Sequence, residues 1–243
     1  MIYITGDTHR DIDTRKLSEK NFPEQKKLTK EDYLIIAGDF GGIWYSKERD
    51  DLFLEYYKKK PFTTLFVDGN HENFDRLNQY DVCDWCGGKV HMINDSVIHL
   101  MRGQVYTIDQ KKIFTFGGGI SVDKEQRIPH RSWWEDENPS YGEIEEALTN
   151  LDKNGNCVDY IITHACPESV VRNELNKIHS LMNIYCPTEK FLDSLLDKVQ
   201  YIRWFCGHYH MDAFIKPYRI EELYQNIIRC DDNFSVVSKT KEA

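Results

Sequence analysis

Apolar residues come in short continuous runs, and five of these runs end in a polar turn. They cover residues 2–5, 33–37, 64–67, 158–163 and 201–206. Runs of four to six residues rich in β-branched and aromatic side chains predict strands buried on both faces. Helix-like stretches lie between them. Residues 47–60 place Leu52, Phe53, Tyr56 and Tyr57 at helical spacing before Pro61. Residues 140–151 open with a Ser140/Glu143 capping box. Residues 188–199 carry Phe191, Leu192, Leu195 and Leu196 on one face. Residues 105–108 and 113–116 read as a hairpin around Lys111-Lys112, and 213–215 and 224–229 as late strands. Strands alternating with helices, plus a hairpin, predict an α/β (α+β) fold with mixed sheets. No repeat, low-complexity tract or linker interrupts the pattern, so residues 1–243 read as one domain.

Composition narrows the class. The 243 residues carry 31 Lys+Arg against 40 Asp+Glu, a net charge of −9. That balance disfavours long nucleic acid and anionic membranes as partners. It still admits a small phosphorylated substrate if bound metal reverses the local field. No run approaches the roughly 20 apolar residues of a membrane span. The start, MIYITGDTHR, lacks a secretory pattern. Seven scattered cysteines read as reduced thiols, which places the chain in the cytoplasm. Cys83 and Cys86 with His91 begin like a zinc knuckle, but the fourth ligand position is Ser96, so an ordinary loop is expected there.

The polar turns after the five runs carry potential metal ligands: Asp7 and His9, Asp39, Asn70 and His71, His164, and His208 and His210. In α/β sheets, sites gather at the carboxyl ends of strands. Asp7-x-His9 and His208-x-His210 each place two ligands at i and i+2, which point the same way in extended chain. Oxygen and imidazole donors without thiolate suit Mn, Fe, Ni or Zn. A shared Asp can bridge two cations, and a neutral Asn keeps the site open to phosphate.

These five pieces, in order, resemble the pattern of the calcineurin-like metallophosphoesterase superfamily: D-x-H, GD, GNH[E/D], a single His and GHxH. Here they read Asp7-Thr8-His9, Gly38-Asp39, Gly69-Asn70-His71-Glu72, His164, and Gly207-His208-Tyr209-His210. The resemblance implies a double β-sandwich flanked by helices and two divalent or trivalent transition-metal ions. It implies that Asp7, His9, Asp39 and His210 hold one ion, and Asp39, Asn70, His164 and His208 the other. His71 would then act as general acid or oxyanion stabiliser, and a metal-bridging hydroxide would attack a phosphomonoester or phosphodiester in line. Glu72 reads as a supporting turn residue.

The chain departs from the protein Ser/Thr phosphatase branch. Gly42 and Ile43 stand where that branch has Asp and Arg after its GD, and Asp68 replaces the Arg before its GNHE. A phosphoprotein substrate is therefore less favoured than a small, nucleotide-like one. A metal-dependent nuclease is the alternative enzyme, and a non-catalytic scaffold of the same fold is disfavoured because no ligand is missing. Arg10 is a candidate phosphate contact. The stretch 121–140 is a candidate substrate wall, with Arg127 and Arg131 to hold phosphate and Trp133 and Trp134 to stack or cover. His91, His99, His130 and His179 fall outside the motifs and read as surface or core. Oligomeric state leaves no mark in the sequence.

Overall fold

The structure is a computed structural model, and it describes residues 1–178 and 184–238. His179 lies outside the described residues. The strands and helices follow in chain order as β1 (Ile2–Thr5), β2 (Tyr33–Ile36), α1 (Lys47–Lys58), β3 (Thr63–Phe66), α2 (Phe74–Leu77), β4 (Val82–Trp85), β5 (Gly88–Asn94), β6 (Val97–Leu100), β7 (Gln104–Ile108), β8 (Lys111–Phe116), α3 (Tyr141–Lys153) and β9 (Tyr160–Thr163). Then come α4 (Glu168–Val170), a π-helical turn (Val171–Leu175), α5 (Asn176–Ile178), α6 (Pro187–Asp193), β10 (Arg203–Cys206), β11 (Ala213–Ile215), β12 (Ile220–Glu222), β13 (Ile227–Arg229) and β14 (Ser235–Val236).

Among the described residues these strands form two sheets. One has the order β14-β13-β1-β2-β3-β6-β5-β4, the other β11-β12-β10-β9-β8-β7. Both are mixed. β1, β2, β3 and β6 run parallel, with antiparallel strands on either side. β8, β9, β10 and β12 likewise run parallel between antiparallel edges.

The period of two explains how the sheets stack. Ile4, Ile35 and Leu65 point to the interface between the sheets, where Ile113, Ile162 and Phe205 meet them. Their neighbours Tyr3, Leu34, Ile36 and Phe66 point outward into a second core covered by Leu54 and Tyr57 of α1 and by Leu17 and Phe22. The other sheet turns Phe114, Phe116, Ile161 and Trp204 onto Leu151, Val170 and Leu192 of the helices. Two packed sheets between helical layers is the expected sandwich.

The expected elements fall where the pattern put them, with four corrections. The stretch around Cys83 is a strand, not a loop: β4, β5 and β6 extend the larger sheet, and β4 pairs with β5. His91 and His99 interrupt the apolar runs there, which hid the strands. Cys83 pairs with Val90 across the ladder, and both Cys83 and Cys86 are free. The helix expected over 188–199 ends at Asp193. Ser194 Oγ donates to the Phe191 carbonyl, and the chain continues through turns that still bury Leu195. Only the end of 224–229 is strand, as β13, and β12 was not anticipated. The helix expected over 47–60 stops at Lys58, ahead of Pro61. The hairpin β7–β8 turns on Asp109 and Gln110, both left-handed, as a tight hairpin turn requires.

Candidate metal centre

Because β1, β2 and β3 are parallel, their carboxyl ends emerge on one edge, and those of β9 and β10 meet them across the sandwich. The loops are stitched together by backbone. His9 N donates to the Asp39 carbonyl (2.8 Å) and Gly207 N to the His164 carbonyl (2.9 Å). The His164 ring ties one sheet to the other, its Nδ1 lying 3.0 Å from the Ala37 carbonyl. That bond leaves His164 Nε2 free to face the site.

The carboxylate of Asp39 lies at the middle. Its Oδ2 is 3.1 Å from His9 Nε2, and its Oδ1 is 3.3 Å from His164 Nε2. The backbone N–H of His71 donates to Oδ1 at 2.7 Å. Asp7 lies 3.1 Å from His210 Nε2 and accepts the backbone N–H of His208. Asn70 Oδ1 is 3.1 Å from His164 Nε2, and the His208 ring packs on that of His164 at 4.8 Å. Donor atoms of Asp7, His9, Asp39 and His210 all lie within 4.8 Å of one another. The structure thus brings all seven expected ligands together.

Two glycines are required by this crowding. A Cβ on Gly69 would fall 2.1 Å from Asp39 Oδ1, and one on Gly207 2.3 Å from Asp7 Oδ1. His9, Asp39, His208 and His210 all hold positive φ, between 40° and 79°. Four non-glycine residues in the left-handed region mark a site that accepts strain to aim its side chains.

The electrostatics fit a cation. Asp7 and Asp39 are buried, and among the described residues neither pairs with Lys or Arg. Their charge falls on the imidazoles. Against the desolvation of burial, hydrogen bonds to Asp13 and Asp39 push His9 up to about 10. Burial presses His208 down to about 3. A dication among these donors would take the place of the proton that His9 draws.

Several supporting residues were not singled out from sequence. Asp13 lies 2.7 Å from His9 Nδ1 and accepts from Tyr224 Oη, fixing the ring so that Nε2 points at Asp39. Its i,i+4 spacing from His9 was the available signal. Lys16 is fully buried and donates to the carbonyls of Gly6, Asp7 and Tyr224. Nothing in its local sequence marks it. Ser121 lies against Asn70 and is held by Glu137. Glu72, which the sequence did single out as a supporting turn residue, accepts the backbone N–H groups of Phe40 and Gly41, fastening the turn after Asp39.

The candidate substrate contacts separate. Arg127 lines a cavity of about 430 Å³ together with Asn70, His71, His208 and His210. Its Nη2 donates to His71 Nε2 at 3.1 Å, and its Nε to Asp123. Burial lowers His71 against the pull of Asp39, Arg127 adds to the lowering, and Nε2 accepts from that guanidinium. Arg10 points elsewhere: its guanidinium binds Asp50 and the Arg49 carbonyl and lies over Phe53. Trp134 is buried, donates to Asp75 and packs edge-on against Trp44, which lies over His71. Trp133 is covered by Lys124, and Arg131 is exposed. Of the histidines outside the motifs, His91 and His99 are buried and His130 is exposed beside Asp75.

The fold and these motifs define a class, and comparison with known proteins bears it out. The sequence model of the calcineurin-like phosphoesterases matches residues 1–212, and the chain belongs to that family. A stretch of 117 residues is 27% identical to lariat debranching enzyme A of Xenopus laevis. That match covers 42% of this chain and 22% of the relative. Among the described residues no helix is long and apolar enough to cross a membrane.

Proposed function

We propose that residues 1–243 form one catalytic domain, a two-metal phosphoesterase acting in the cytoplasm on a small phosphorylated molecule, a nucleotide-like one ahead of a phosphoprotein. The observation that carries the reading is Asp39, whose two oxygens face different ligand sets: Oδ2 toward His9 and Oδ1 toward His164. Asp7, His9, Asp39 and His210 would hold one cation, and Asp39, Asn70, His164 and His208 the other, with Mn, Fe, Ni or Zn suiting the donors. Two such cations lower the pKa of water and clamp phosphoryl oxygens.

The chain's own residues do the rest. Asp13 and the Ala37 carbonyl hold the His9 and His164 rings with Nε2 inward. The Arg127 guanidinium, beside His71 at the cavity wall, grips a phosphoryl oxygen. His71, with Nε2 accepting from Arg127, holds that guanidinium at the cavity wall, and its ring would serve as general acid or oxyanion stabiliser. The test is Asp39→Asn, assayed on a nitrophenyl phosphomonoester and its bis-ester with Mn, Ni, Zn and Mg. Loss of turnover and of bound metal supports the reading, and full activity with metal present refutes it.

One observation favours the nuclease alternative: the resemblance to a lariat debranching enzyme, which suggests a phosphodiester in nucleic acid. The net charge of −9 counts against it. Degradation of single- or double-stranded DNA with added Mn would decide for it.

A further inference from the structure

The cavity beside the metal ligands contains a charge that the proposed chemistry does not use. Glu189, on α6, lines it and is only 8% exposed. Tyr209, between the ligands His208 and His210, donates its hydroxyl to Glu189 Oε1 at 2.8 Å. Among the described residues Oε2 has no hydrogen-bond donor, and no Lys, Arg or His pairs with the carboxylate. The side chain that bears Oε2 forms part of the cavity wall. Burial lifts the acid to about 7, so the surroundings do not support the charge unaided. Acids are common in the first turn of a helix. That preference does not explain why this one is turned into a substrate cavity with one oxygen unanswered.

Buried carboxylates are normally paired, because an uncompensated one costs several kcal/mol. The cavity is also lined by Val171, Ile184 and Met211, which accept alkyl groups but offer no donor. Arg127 stands at His71, while Glu189 is reached through Tyr209. The cavity therefore presents a cation for a phosphoryl group and, separately, an anion for something else. We propose that Glu189 is a specificity subsite for an ammonium group, so that the substrate is a zwitterionic aminoalkyl phosphoester. This rests on the phosphoesterase reading above and, in place of the nucleotide-like molecule favoured there, assigns its small substrate to one class.

The test compares isosteric probes that differ only in charge. One pair of monoesters is 2-aminoethyl phosphate and n-propyl phosphate. One pair of diesters is their 4-nitrophenyl esters. Wild-type protein with Mn should favour the amino member of the hydrolysed pair by roughly tenfold to a hundredfold in kcat/KM, mostly through KM. That is the worth of one charge-assisted hydrogen bond. Glu189→Gln should bring the ratio near one, and Glu189→Asp should keep part of the preference. Equal rates in the wild type, or a preference that survives in Glu189→Gln, overturns the proposal. So does a Glu189-dependent preference for a nucleoside monophosphate over both probes, which would assign the subsite to neutral hydroxyl or N–H donors. If Glu189→Gln does not fold, competition in the wild type between 2-aminoethylphosphonate and n-propylphosphonate reads the same preference, and equal inhibition overturns it. If no probe of either pair is turned over with metal supplied, the phosphoesterase reading itself fails and the subsite with it.

Discussion

Asp39 and Asp68 are both buried aspartates just beyond neighbouring parallel strands, yet they do opposite work. Asp68 is answered from within the protein. Arg102 donates to its Oδ2 through Nε and Nη2 at 2.8 and 2.6 Å, and His99 Nε2 lies 3.2 Å from Oδ1. Despite the desolvation of burial, Arg102 and His99 hold the Asp68 carboxyl well below the usual carboxylate range. The same guanidinium binds the carbonyls of Asp136 and Asn138, so the pair fastens the 121–140 stretch to the ligand loops. Among the described residues Asp39 faces imidazoles and a backbone N–H. A carboxylate neutralised by arginine is part of the frame, and one ringed by histidines is, on the proposed reading, left to attract a cation from outside. The family's protein-phosphatase branch has Arg at the position of Asp68. Here the charge is reversed, and the position serves the scaffold.

The comparison can be broken by experiment. The largest effect is expected from Asp39→Asn: turnover at background and metal content collapsed by elemental analysis, in a protein that still folds. Asp68→Asn should act on stability instead. It leaves the buried Arg102 without its closest carboxylate, Glu143 at 3.4 Å answering part of the charge, at a cost of up to about 3–5 kcal/mol in urea denaturation. If Asp68→Asn unfolds no more easily than wild type, or Asp39→Asn retains its metal, the division of labour is wrong. Asp13→Asn sharpens the contrast from the histidine side. By loosening His9 it should weaken metal binding or activity about 10- to 100-fold, measured by metal titration, with only a minor shift in melting temperature. The smallest effect is expected far from the centre. Ser140 caps α3 in a closed capping box, and Ser140→Ala should cost about 1 kcal/mol by denaturation with kcat/KM unchanged. A loss of activity there would mean that α3 is coupled to the site.

The buried parallel strands were legible because their signal is local: a short apolar run between polar turns. The ligand motifs were legible for the same reason, since each sits in the turn after its run. The strands β4 to β6 were not, because His91 and His99 break the apolar pattern, and what stabilises those histidines lies elsewhere in the chain. His91 Nδ1 lies 3.0 Å from His99 Nδ1, and His99 reaches Asp68. The early end of α6 turns on one hydroxyl, Ser194, bonding back to a carbonyl, which competes with the helix only where the surrounding packing allows it.

The sequence by itself determined the α/β pattern, the donor set and its order, and thereby the family. These follow from side-chain period and donor chemistry, which a linear chain carries. Tertiary structure alone decided which long side chains serve the site. Arg10, adjacent to a ligand in sequence, is taken by Asp50 forty residues away, while Arg127, 56 residues from His71, arrives beside it. Asp13, Lys16 and Glu189 acquired their positions in the same way. A flexible charged side chain chooses its partner by distance and burial, and both come into being only when the two sheets close.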